Sequence, residues 1–230
     1  MLGPIANAAA ILIFGLIGCF FVKNLPQRFE EIIRKVLALL LIYIGFKGAL
    51  DGERIILMLL SLTIGATIGE LINFDKIINN LGALVEKRFA MGGERPFSKA
   101  FASTTILYCT GSIIIVGALQ SGLTGNNDIL FMKSIIDGIF SLVFAASMGI
   151  GVAFSSIPVL ICESALVLGA RAVKDFLTPD IIREMSAVGS LLVAGIGFNF
   201  LGIKEIRIAN LVPAVFIPFI IITIEMLIKS

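Results

Sequence analysis

Two carboxylates, Asp137 and Glu163, bracket twenty-five residues without a charge, Gly138 to Cys162. One transmembrane helix needs roughly 20 apolar residues, so this run is too long for a single span and reads as two helices meeting near Gly149 to Gly151. The carboxylates then lie on consecutive helices of opposite direction. At 1.5 Å per residue, Asp137 is about 10 Å from one face and Glu163 about 17 Å from the other. In a hydrocarbon core of about 30 Å those depths differ by roughly a helical turn, so both can face one cavity, where they would share a proton or hold a cation. Each has a plainer alternative. Asp137 follows Lys133 by four residues, the spacing of a local ion pair, and Arg171 lies two turns beyond Glu163.

Other polar groups fall at membrane depth. Ser155, Ser156 and Pro158 interrupt the helix before Glu163. Proline frees a carbonyl and serine can replace the lost bond, so the segment either kinks or presents backbone groups to a ligand. Asn7 sits at a comparable position in the first apolar stretch, where an Asn either cross-links helices or binds substrate. Asn199 and Asn210 are read in the same way. Gly65 and Gly69, and Gly15 with Cys19, give small-residue surfaces for close helix contact, either inside the chain or across a dimer.

The elements that carry these residues must be membrane helices. Apolar residues make up 58% of 230 and charged residues 15%, with a mean hydropathy of +1.05, which excludes a soluble domain with a polar exterior. Eighteen basic against sixteen acidic residues, without a basic stripe, point away from nucleic acid. The three cysteines, Cys19, Cys109 and Cys162, lie in apolar segments without metal-type spacing. With histidine absent, proton chemistry is left to Asp and Glu. Nucleophile-elbow, P-loop and HExxH patterns are absent as well, so no enzymatic activity, metal or cofactor is expected.

Charge-poor windows give eight spans, near 3–22, 32–50, 55–71, 99–120, 130–149, 152–171, 185–203 and 208–228. The competing arrangement has seven, with a re-entrant segment around Gly149 to Pro158. The first stretch lacks a basic leader and reads as a helix rather than a cleaved signal. With the N-terminus outside, eleven of the eighteen Lys and Arg face the cytoplasm. The connection 72–98 is expected there, as a linker or a surface helix.

Lys23 to Pro26 (KNLP) and Lys174 to Pro179 (KDFLTP) each precede a helix ending in Ile-Gly-Phe, at Ile44 to Phe46 and Ile196 to Phe198. The spacing makes spans 1–3 (residues 1–71) and 6–8 (150–230) candidate inverted copies flanking a central pair, 99–149, in one membrane domain. The expected fold is thus an all-α polytopic integral membrane protein.

The opening MLGPIANAAAILIFGLIG, the block FMKSIIDGIFSLVFAASMGIGVAFSSIPVL and the block REMSAVGSLLVAGIGFNFLGIKEIRIANLVPA resemble the YqgA/YdfK family of bacterial inner-membrane proteins, a family of unknown function. The likeness covers the whole chain. It implies an inner-membrane location, a loose link to biofilm formation and no assigned substrate. Taken with the buried polar residues, the expectation is a secondary transporter of a small solute or ion, coupled to protons or sodium and working as a homodimer in the lipid bilayer. A channel-like pore and a structural or signalling membrane protein are the alternatives.

Overall fold

The computed structural model describes residues 1–22, 27–77, 80, 97–110, 112–173, 176–203 and 206–229. Helices account for its regular structure: α1 (Leu2–Val22), α2 (Gln27–Leu50), α3 (Ile55–Ile72), α4 (Phe97–Cys109), α5 (Ser112–Thr124), α6 (Asp128–Met148), a short α7 (Gly151–Phe154), α8 (Ser156–Val173), α9 (Pro179–Leu201), a short α10 (Ile208–Leu211), a 3-10 turn (Val212–Phe216) and α11 (Ile217–Lys229). Among the described residues no strand occurs. The KNLP segment, Lys174, Asp175 and most of the 72–98 connection lie outside the described residues.

Helix ends follow local chemistry. Gly149, at φ 84°, closes α6, and Asn73, at φ 59° in the left-handed helical region, closes α3; both have a positive φ, which Gly and Asn tolerate best. Thr178 starts α9 by accepting the Ile181 N–H on its hydroxyl, with Pro179 in the first turn, where its missing N–H is not needed. Ser61, Thr63 and Thr67 of α3 donate to carbonyls four residues back, which satisfies their hydroxyls where no water is at hand.

Six helical stretches are long and apolar enough to cross a membrane, and α4 with α5, bent by 60° from each other, make a seventh. The charged first turns of α2 keep it out of that group, although it packs along one of its members. Gly45 and Gly48 of α2, and Gly52 just beyond its end, meet Ala194, Ser190 and Ala187 of α9, and Gly197 meets Ile42, so α2 runs antiparallel along the candidate span α9. The bent pair also runs from face to face beside α7 and α8, with Gly151 against Phe97 and Gly122 against Val167. Length and composition thus give six candidate spans, seven with the bent pair, against the eight expected, and α2 accounts for the difference. Gly149 separates α6 from a 22-residue apolar stretch, Gly151 to Ala172, each long enough to cross.

These helices sort into two bundles that are not contiguous in sequence. The first holds α1, α4, α5, α6, α7 and α8, and the second holds α2, α3, α9, α10, the 3-10 turn and α11. Backbones approach closely within each and less between them, while the main apolar core crosses the seam, joining Leu41 of α2 and Leu192 of α9 to Ile106 of α4 and Phe144 of α6. In the first bundle α1 lies parallel to α6, with Gly3 on Leu130, Gly138 on Ala10 and Phe14, and Gly18 on Leu142 and Ala145. In the second, Gly65 and Gly69 of α3 meet Ala214 and Asn210. That small-residue surface packs inside the chain, one of the two uses that its spacing left open. Gly15 is likewise filled, by Ala153.

Charged networks at both ends bind the second bundle to itself. At the end shared with the N-terminus, Arg54 pairs with Glu225 at 2.8 Å and Asp180 at 3.4 Å, while Arg183 pairs with Asp180, Glu53 and Glu184. The hydrogen bond that Arg54 donates to Glu225, with Asp180 beyond it, raises the affinity of Arg54 for its proton further still. At the opposite end Glu70 accepts from Arg207 and from Asn210.

Candidate functional site

The polar centre lies inside the first bundle, where α1, α6 and α8 meet. Asn7, on α1, spends both protons of its amide nitrogen on carboxylates, one to Asp137 Oδ2 at 3.0 Å and one to Glu163 Oε1 at 2.6 Å. Lys133 is ion-paired with Asp137 one turn away on α6, and its Nζ is 3.5 Å from Glu163 Oε1. Asn7 and Glu163 are 0% exposed, Asp137 and Lys133 6%. The ammonium also lies over the Tyr108 ring, 6.0 Å from its centroid, and the Tyr108 hydroxyl shares a 2.8 Å hydrogen bond with Ser141.

Sequence spacing brought three of these residues forward, Asn7, Asp137 and Glu163, and the fold joins all three. The plainer reading of Asp137, an ion pair with Lys133, is present as well. Both hold because one ammonium serves two carboxylates. Lys133 as a shared cation is what sequence reasoning missed: its contact with Glu163 is long-range, and only its own-helix partner is visible as a spacing.

The other candidates go elsewhere. Ser155 turns its hydroxyl back to the Val152 carbonyl at 2.6 Å. Pro158 is the third residue of α8, a position where a helix N–H has no intrahelical partner, so it breaks nothing. Neither of these, nor the buried Ser156, lines either of the cavities described below. Asn199 closes the loop after α9 by bonding both the N–H and the carbonyl of Ile206. Asn210 bonds Glu70 and the Asp75 N–H; it cross-links helices.

Two cavities lie on the seam between the bundles. One, about 650 Å³, enters from the end that carries Lys47, Asp51, Pro179 and Arg183, and reaches Thr110, Leu107, Val193, Lys133 and Asp137. The other, about 750 Å³, enters from the opposite end past Asp75, Lys99 and Arg207, and reaches Ser103, Ile106, Asn199 and Phe200. On α9 they stop at Val193 and Asn199, about 9 Å apart at 1.5 Å per residue. Between these two levels of α9 stands Ile196 of the main core, while on α4 the cavities reach adjacent residues, Leu107 and Ile106. Asp137 and Lys133 therefore form part of a cavity wall, with Asn7 and Glu163 directly behind them.

The site chemistry is that of a charge cluster outside water. With every group ionised it carries two negative charges and one positive. Glu163 Oε2 and Asn7 Oδ1 are buried with no hydrogen-bond partner. Among the described residues no group of three or more Cys, Asp or Glu is arranged to hold a metal ion.

The chain is 31% identical over 218 residues to "Uncharacterized protein YqgA" of Escherichia coli (strain K12), covering 93% of each. It is 27% identical over 226 residues to "Uncharacterized membrane protein YdfK" of Bacillus subtilis (strain 168), covering 96% of each. No solved structure matches. The family described as "Protein of unknown function (DUF554)" matches residues 2–223, nearly the whole of this helical membrane architecture, and the chain belongs to that family.

Proposed function

We propose that this membrane protein is a secondary transporter of a small solute or ion in which the two bundles move against each other. One observation carries the reading: cavities of about 650 and 750 Å³ enter the same seam from opposite ends and are held apart by one apolar layer. Small shifts of one bundle would open one cavity toward the layer and close the other, which is alternating access in structural terms. The named ion pairs lie within one bundle or the other, as rigid-body movement requires. A channel finds less support, because neither cavity passes the layer.

An inverted duplication supports the same reading. The two Ile-Gly-Phe triplets come together at the α2–α9 crossing: Gly45 packs on Ala194, Gly197 on Ile42, and the Phe46 and Phe198 rings meet edge to face at 6.2 Å. Each bundle would then be built from repeat-related partners, α1 with α8 in the first and α2 with α9 in the second. The loop distribution of Lys and Arg favours an outside N-terminus and a bacterial inner-membrane setting, which makes the Lys133 cavity the outward one.

Purified protein in liposomes tests the proposal, using a panel of organic acids, amino acids and monovalent cations with and without a proton or sodium gradient. Gradient-dependent flux that falls to background in Asp137→Asn is the expected result. Absence of flux across the panel from correctly folded protein would overturn it.

A further inference from the structure

We propose that the buried cluster is a proton-binding site, and that the exchangeable proton resides on Glu163. This rests on the transporter reading and names its coupling ion.

The argument is one of charge and of unmet hydrogen bonds. The charged or titratable groups facing Glu163 among the described residues come from four helices. From α6 come Lys133 and Asp137, from α4 come Tyr108 and Cys109, from α1 comes the neutral amide of Asn7, and Cys162 adjoins it on α8. One ammonium cannot neutralise two carboxylates, and a net charge left in a dry interior costs several kcal/mol. Of the four carboxylate oxygens, Asp137 Oδ2 is bonded by both Lys133 and Asn7, and Glu163 Oε1 by Asn7. Glu163 Oε2 is buried with no partner at all. A proton placed there removes the excess charge and converts an orphaned acceptor into a donor.

A metal cation does not fit as well. The Lys133 ammonium already occupies the space between the carboxylates, so a sodium ion would have to displace it, whereas a proton is added without moving a heavy atom. The route is also defined. Asp137 and Lys133 line the cavity while Glu163 is sealed behind them. A proton from water passes to the Asp137 carboxylate and on to Glu163, leaving Asp137 ionised against Lys133. Release runs the same steps backward and returns the proton to water.

Infrared spectroscopy of the purified protein in lipid at neutral pH, with no solute present, tests this directly. The expected result is a carboxylic-acid carbonyl band that shifts in heavy water and is lost in Glu163→Gln; Asp137→Asn, which leaves Lys133 to balance Glu163 alone, should lose it as well. Selective carbon-13 labelling of glutamate in the unmutated protein should move the same band, which keeps the test valid if a variant fails to fold. Absence of the band, its persistence in Glu163→Gln, or no response to glutamate labelling would overturn the proposal. Because the band is read on the resting protein, its absence rejects the proton site alone, whereas a band without solute flux rejects the transport reading alone.

Discussion

Gly69 of α3 faces the main-chain carbonyl of Asn210 so closely that a Cβ on Gly69 would overlap its oxygen. Both partners are backbone, so neither can swing away. Gly69→Ala is expected to destabilise the protein by about 3 kcal/mol through overpacking, read as a drop in the thermal midpoint in detergent. Gly169→Ala, whose Cβ would meet nothing within 4 Å, should stay within about 0.5 kcal/mol of the parent. Equal effects at the two positions would refute the α3–α10 contact.

Lys133 is the only cation shared by Asp137 and Glu163 among the described residues. Removing one member of a buried ion pair costs about 3–5 kcal/mol, because the partner is left charged and unmatched. Lys133→Met should fall in that range. Adding Asp137→Asn should recover a large part of the loss, a non-additivity that a double-mutant cycle measures directly.

The parallel course of α1 and α6 is open to a covalent test. A Cβ on Gly138 would lie 3.5 Å from the Ala10 Cβ, at the short end of the disulfide range. Ala10→Cys with Gly138→Cys, in a background lacking Cys19, Cys109 and Cys162, should therefore oxidise to an intramolecular bridge. Failure of mild oxidants to form it in native membranes would mean that the helices are placed differently.

The seam cavities make opposite accessibility claims. Ser186→Cys should react with an impermeant thiol reagent from the face carrying the N-terminus, and Ser103→Cys from the other face. Ile196→Cys, between the two cavities at 2% exposure, should react from neither. Labelling of Ile196→Cys from both faces would indicate an open pore.

The sequence displays the site better than the architecture around it. Asn7, Asp137 and Glu163 stand out because a polar atom in a charge-free window is conspicuous, and depth along a helix is arithmetic on residue number. The break between α4 and α5 is much less legible. It occurs at Thr110 within TTILYCTGS, where no proline marks it and Thr110 simply returns its hydroxyl to the Ile106 carbonyl at 2.7 Å. The internal use of Gly65 and Gly69 was undecidable from spacing, since a small-residue stripe says that something approaches and not which chain supplies it. The division into two bundles is invisible for a deeper reason. It depends on which helix faces pair across the chain, as α1 with α6 and α2 with α9, and not on any local composition.

The bond between Asn7 and Asp137 spans 130 residues of chain, and this has a consequence for biosynthesis. At 5–20 residues per second, Asn7 enters the bilayer about 10 s before its partner has been made. Throughout that interval α1 holds a polar amide in lipid, along with the open glycine surface meant for α6. The first helix is thus born incomplete, and its maturation waits on the second half of the chain. A nascent protein truncated before α6 should be a preferred substrate for membrane quality control, even though its earlier spans can already insert.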